Sequence, residues 1–193
     1  MKLYLVRHGQ SETNLAGEFT GWKQVSLTEK GYADARRAGE YLKGRSFDRV
    51  YASDLIRAVQ TAKTALPGCD PLQLPLLREI GLGSLEGRSI AECMEEGGEE
   101  FARNRENRYF VPYGGESEEM LEKRLDAFLR MLEEDPCEQA IAFSHAGVLR
   151  AMLQRTLGFP LQPGSVLCEN GAVCVYVYKN GRWQLKTWGA ATE

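Results

Sequence analysis

The chain holds only two histidines, His8 and His145. Each closes a short apolar run and has a glycine within two residues. Leu3–Val6 runs into Arg7-His8-Gly9, and Ala140–Phe143 runs into Ser144-His145-Ala146-Gly147. A third apolar run ends at Ala52 and gives way to Ser53-Asp54, with Arg57 one turn further on. Cations, imidazoles and glycines at strand ends suit a place where the backbone must come close to an anion. In an open α/β sheet, ligands bind outside the carboxyl ends of the strands. If these three segments are neighbours, Arg7, His8, Arg57 and His145 converge on one spot. Guanidinium forks bind oxygens in pairs, helix N-termini add N–H donors, and imidazoles supply catalytic groups near neutral pH. The spot suits a doubly charged tetrahedral oxyanion. Taken singly, the same residues have plainer roles. An isolated histidine is more often a satisfied structural group, and Arg57 could equally pair with Asp54 on a helix surface. Asn14 fits a turn, and Glu79, set among glycines, is by default a solvated carboxylate.

The elements that must position these groups follow from periodicity and caps. Leu3–Val6 reads as a buried strand. Ser26-Leu27-Thr28-Glu29 caps a helix expected over about 29–43, with Tyr32, Ala35, Gly39 and Leu42 on its buried face. Arg49–Ala52 is a short strand, and Asp54 is placed to cap a helix over Leu55–Ala65, which Pro67 and Gly68 stop. Pro71–Leu77 is expected as a further short strand or extended arm, and the glycine-rich stretch 78–87 as irregular. Ser89–Asn107 reads as two short helices broken at Gly97-Gly98, followed by a turn at Pro112–Gly115. Leu121, Leu125, Phe128 and Leu132 give one apolar stripe to a long helix over about 117–134. Ala140–Phe143 is a buried strand and Val148–Leu157 an apolar helix. Ala172–Tyr178 and Arg182–Trp188 form a hairpin across Asn180-Gly181. This alternation predicts a three-layer α/β fold, with a mostly parallel sheet, helices on both faces and a C-terminal antiparallel hairpin. At 193 residues, one domain over 1–193 is expected, with 84–115 as a small cap over the site.

Composition removes other classes. The net charge of −3 gives no pull towards nucleic acid or anionic membrane. No run reaches the length of a membrane span or resembles a leader peptide. Five cysteines without a CxxC pair look like reduced thiols in a cytoplasmic protein. There is no GxxxxGK[ST] loop, no complete dinucleotide fingerprint, no GxSxG elbow and no metal-ligand spacing. No cofactor and no metal are expected.

Leu5-Val6-Arg7-His8-Gly9-Gln10-Ser11-Glu12-Thr13-Asn14 resembles the signature of the histidine phosphatase superfamily, in its phosphoglycerate-mutase-like branch. The resemblance continues through 26–35, through Ala52–Ala62 with Arg57, through Arg78-Glu79 to Gly87, through Gly114–Ser117 and through Phe143–Ala151. It implies His8 as the nucleophile, forming a phosphohistidine. Arg7, Arg57, Asn14 and His145 would hold the phosphoryl oxygens, with Ala146 beside them. Glu79 would protonate the leaving oxygen and later take a proton from water. Thr20-Gly21-Trp22 is similar to a substrate-contact stretch of the mutases.

The mutases carry a longer, more basic insertion before the long helix. Here 84–115 is compact, broken by Gly97-Gly98 and Gly114-Gly115, and acidic over Glu92–Glu100. Such a lid should admit water and repel a second dianion. The expected activity is therefore a metal-independent phosphomonoesterase acting on a small molecule, similar to the broad-specificity and α-ribazole phosphatases. A bisphosphoglycerate-dependent mutase is the alternative, and a non-catalytic phospho-ligand module a third. Arg88, Arg103, Arg105 and Arg108 stand equally well as substrate contacts or solvated surface. Monomer and homodimer are both open.

Overall fold

The computed structural model describes residues 1–162 and 164–191. The elements are β1 (Lys2–Arg7), α1 (Glu12–Ala16), α2 (Glu29–Leu42), β2 (Arg49–Ala52), α3 (Ile56–Ala65) and β3 (Leu72–Gln73), then α4 (Ile90–Glu106), α5 (Glu118–Glu134), β4 (Gln139–Ser144), α6 (Ala146–Leu157), β5 (Val173–Lys179) and β6 (Arg182–Ala190). Short 3-10 turns cover Pro75–Leu77, Gly83–Leu85 and Val111–Tyr113. The six strands lie in the order β3-β2-β4-β1-β5-β6. The pairs from β3 to β1 are parallel, while β5 and β6 run antiparallel to their neighbours.

β1 and β4 are central and covered on both sides, which is why they read as continuous apolar runs. Alternate residues go to different cores. Leu3, Leu5, Ala140 and Ala142 join Leu121, Leu125 and Phe128 of α5 and Leu149 of α6. Tyr4, Val6, Ile141 and Phe143 join Ala38 and Leu42 of α2 and Ala62 of α3. The turn between β5 and β6 places Asn180 and Gly181 at φ 54° and 71°. That is the pair of left-handed residues a tight hairpin needs, and Asn-Gly supplies it at little cost.

Thr28 caps α2, its side chain accepting from Gly31 N at 3.1 Å. The buried face differs from the expected stripe. It comprises Gly31, Asp34, Ala35, Ala38 and Leu42, while Tyr32 and Gly39 are only half-buried. Asp34 is inside because Gln10 N donates to it at 3.1 Å and Lys30 and Arg37 neutralise it. Asp54 does not cap α3. The cap position is Leu55, with no side-chain bond, and Gln24 Oε1 accepts from Ile56 N at 2.9 Å instead. Asp54 is held by Arg78, Nε to Oδ1 at 2.7 Å, a two-pronged pairing that wins over a single cap bond. Over Ser89–Asn107 two helices meet at a kink at Gly98, with φ 59° and ψ −157°, as the Gly97-Gly98 break predicts. The 71–77 arm divides into β3 and a 3-10 turn.

Gly9 marks where the loop after β1 presses on α2. A Cβ there would lie 2.1 Å from Gly31 O, and one at Gly31 would lie 2.0 Å from Gln10 O. Both obstacles are backbone, so neither can move aside. Gly9→Ala is expected to cost about 1–3 kcal/mol, as overpacking does, and to lower Tm by roughly 2–12 °C for a chain of this size. Thermal unfolding checks this; an unchanged Tm would show that the loop lifts off α2 freely.

Candidate active site

The three polar strand ends are brought together by the order β2-β4-β1. Arg7 lies opposite Ser144 in the parallel register, and Ala52 lies opposite Phe143. His8 N donates to Ser144 O at 2.9 Å, and Ser53 N donates to Phe143 O at 2.8 Å. His8 follows β1, His145 is the N-cap residue of α6, and Arg57 sits in the first turn of α3.

His8 is 4% exposed and His145 is 0% exposed. Their ring centres are 5.1 Å apart at 58°. The His8 Nδ1 lies 2.7 Å from its neighbour's carbonyl, Gly9 O, and its Nε2 lies 3.3 Å from Arg57 Nε. Gly9 O can only accept and the guanidinium can only donate, which assigns the tautomer. Nδ1 carries the proton and Nε2 presents a lone pair. Burial, then the cations of Arg57 and Arg7, hold the His8 pKa well below its ordinary 6.5, so the ring is neutral and nucleophilic at neutral pH. Burial, then Arg57, does the same to His145.

Arg57 is fully buried and spends its fork on backbone. Nη2 donates to Gly21 O at 2.8 Å and Nη1 to Lys23 O at 3.1 Å. Burial lowers its pKa to about 10, which leaves it charged at neutral pH. Arg7 donates through Nη1 to Cys168 O, and its Nε is buried without a partner. Both ring nitrogens of His145 are likewise buried and unpartnered. Orphaned buried nitrogens are costly unless a ligand satisfies them. Here three of them belong to Arg7 and His145, the neighbours of His8 in the chain and across the site.

Glu79 arrives from the loop after the Pro75–Leu77 turn. One carboxylate oxygen accepts from Ile80 N at 2.9 Å and the other from Gly147 N at 3.2 Å, in the first turn of α6 beside His145. Arg108 Nη2 stands 3.9 Å away. The carboxylate is thus part of the site wall, not the solvated group that its glycine-rich setting suggests in isolation. Arg57 is not paired with Asp54, whose partner is Arg78.

The remaining predicted residues divide. Asn14 is exposed and closes a capping box on Ser11. Its Oδ1 accepts from Asn170 Nδ2 at 3.4 Å, and the same amide donates to His8 O at 3.0 Å. Gly21 contributes its carbonyl to Arg57, and Thr20 shares a 2.7 Å hydrogen bond with Thr13. Thr20, Gly21, Glu79 and Ala146 line a cleft of about 620 Å³, whose far wall comes from Ile90, Met94, Arg105, Arg108 and Phe110, together with Arg150. Of the four arginines that stand equally well as substrate contacts or solvated surface, Arg105 and Arg108 line the cleft. They are offset by Glu106 and Glu18 in the wall and by the Arg108–Glu118 pair. Arg88 pairs with Glu96 on the surface and Arg103 is exposed.

Asn170 and Arg124 were not singled out from the sequence. Each acts on partners far away in the chain and carries no local signature. Among the described residues, no group of three or more His, Cys, Asp or Glu could hold a metal ion, and no helix is long and apolar enough to cross a membrane. All five cysteines are free.

The histidine phosphatase superfamily (branch 1) matches residues 3–191. The adenosylcobalamin/α-ribazole phosphatase of Salmonella typhimurium is 36% identical over 164 residues, 83% of this chain and 81% of its own. The solved structure of the α-ribazole phosphatase from Shigella flexneri superposes with a TM-score of 0.86 at 25% identity, covering 99% of this chain and 97% of that one. The 2,3-bisphosphoglycerate-dependent phosphoglycerate mutase of Corynebacterium diphtheriae is 46% identical, but over only 106 residues, 51% of this chain and 43% of its own.

Proposed function

The chain belongs to the histidine phosphatase superfamily, branch 1, and from that premise we propose that it hydrolyses a small phosphomonoester through a phosphohistidine at His8. The observation that carries this is the His8 Nε2, left unprotonated by the Nδ1 contact to Gly9 O, where it accepts from Arg57 and lies beside His145. In the first step Nε2 attacks phosphorus, the N–P bond forms and the ester P–O bond breaks. The leaving oxygen takes a proton from the Glu79 carboxyl. In the second step water attacks phosphorus and gives its proton back to Glu79, the N–P bond breaks and phosphate departs. Arg7 and Arg57 neutralise charge on the phosphoryl oxygens and the neutral ring of His145 offers them a hydrogen bond, which is most of what phosphoryl transfer asks of a protein. Asn14 lies at the rim, tied through Asn170 to the His8 backbone.

Segment 84–115 acts as a cap, with Thr20, Gly21 and Ala146 on the opposite wall of the cleft. Likeness to the Salmonella enzyme makes the phosphate ester of α-ribazole the first substrate to assay. The mixed wall of Ile90, Met94 and Phe110 with arginines suits a leaving group with an apolar body. Free thiols and the balanced charge fit a cytoplasmic protein that binds neither membrane nor nucleic acid.

The arginines take the charge-stabilising part that a metal plays elsewhere. Activity is expected to survive chelator and to be inhibited by vanadate, which imitates five-coordinate phosphorus; loss on chelation with return on adding a divalent ion would overturn this. Hydrolysis is tested against mutase chemistry in one reaction, by quantifying phosphate release and 3- to 2-phosphoglycerate interconversion after priming with 2,3-bisphosphoglycerate. Phosphate release is expected to dominate, and interconversion faster by orders of magnitude would restore the mutase.

A further inference from the structure

Arg124, on the second turn of α5, makes no contact with the histidines that is on the order of a hydrogen bond, yet it holds the segment that carries Glu79. Its Nη1 donates to Leu76 O at 3.1 Å and to Arg78 O at 3.0 Å, and its Nη2 donates to Glu79 O at 3.1 Å. The same guanidinium grips Glu116 two-pronged, Nε to Oε1 at 2.8 Å and Nη2 to Oε2 at 2.7 Å. Glu116 completes the clamp, its Oε2 accepting from Gly81 N at 2.9 Å. The peptide groups on both sides of Glu79-Ile80-Gly81 are therefore tied to one ion pair, whose side chains are 18% and 8% exposed.

Two features make this more than packing. The 78–81 segment has no strand or helix of its own, so its backbone polar groups need other partners. The Glu79 carboxylate reaches its place through a single side chain hung on that backbone. A shift of about 1 Å in a catalytic group is enough to cost a large part of its effect.

We propose that Arg124, with Glu116, is the positioning residue for Glu79, and that it acts on protonation of the leaving oxygen rather than on phosphate binding. This rests on Glu79 as the proton donor. The test is kcat/KM for p-nitrophenyl phosphate and for a primary alkyl phosphate in four enzymes: the parent, Glu79→Gln, the charge-neutral pair Glu116→Gln with Arg124→Gln, and all three substitutions together. A general acid matters for the poor leaving group. Glu79→Gln should lose about 10²–10⁴-fold on the alkyl ester and less than about tenfold on the aryl ester. The neutral pair should lose about 30-fold or more on the alkyl ester and about threefold or less on the aryl ester, and the triple variant should be no slower than Glu79→Gln, because coupled groups are not additive.

Equal losses of the neutral pair on both esters, or losses that multiply in the triple variant, would overturn the positioning role. If Glu79→Gln itself loses equally on both esters, it is the assignment of Glu79 that fails. Should the neutral pair not fold, Arg124→Lys is read the same way, since it keeps the charge and cannot span the carbonyls of Leu76, Arg78 and Glu79 together with the Glu116 carboxylate.

Discussion

Replacing His8 by alanine should lower kcat/KM by roughly 10⁵-fold or more, the scale of loss when a covalent nucleophile is removed. In the proposed mechanism the His8 Nε2 lone pair makes the bond to phosphorus, its tautomer set by Gly9 O, whereas neither ring nitrogen of His145 has a partner to set one. His145 is fully buried, and its ring faces that of His8 at 58° with centres 5.1 Å apart. Rapid quench with labelled substrate should trap an acid-labile, base-stable phosphoryl group on the parent and none on the variant. The fold should persist, because His8 bonds through its ring only to its own neighbour Gly9 and to Arg57. Ordinary turnover by the folded variant, or label placed on another residue, would end the assignment.

Arg57→Gln should cost about 10³-fold, since removal of one preorganised donor from a developing charge costs about 10²–10³-fold and here a full charge goes with it. It should also displace the pH profile. Burial, then Arg57 and Arg7, depress the His8 pKa. The neutral ring is the reactive form, so activity falls as pH drops through that pKa. Removing the Arg57 cation lets the pKa climb back towards 6.5, and the acidic limb of kcat/KM should move to higher pH. Ionisation of the substrate is common to both enzymes and cancels in the comparison. An acidic limb that stays in place, or moves to lower pH, would show that Arg57 does not act on His8.

What could be read from the residues was local. Arg7-His8-Gly9 and Ser144-His145-Ala146-Gly147 stand out because polar groups interrupt apolar runs. Thr28 and Asn180-Gly181 announce a cap and a turn within a few residues of themselves. The failures share a cause in distance along the chain. Asp54 looks like a cap until Arg78 takes it, and Glu79 looks solvated until Gly147 N and Arg108 are seen beside it. Asn170 reaches back to His8, and Arg124 reaches back to Leu76, Arg78 and Glu79. Neither has a spacing that signals such a partner. Asp34 on the inner face of α2 breaks the apolar stripe because its charge is met by Lys30 and Arg37 on its own helix. The candidate site was legible as clusters at strand ends, whereas the hold on the segment that carries Glu79 was legible only in three dimensions.

The place of β1 in the sheet also bears on how the protein is made. Lys2–Arg7 leaves the ribosome before any of its partners exist. Lys2 pairs with Gln139 on one side and Val177 on the other, so both edges of the strand wait until β4 and β5 emerge. A central apolar strand with two unpaired edges is what drives chains to aggregate, and contacts this distant in sequence form slowly. Only when the loop through Cys168 and Asn170 closes over it do Arg7 and His8 receive their last backbone partners. Arg7 and His8 are thus set in place by residues made later, and a chain stalled before Cys168 carries His8 without its surroundings.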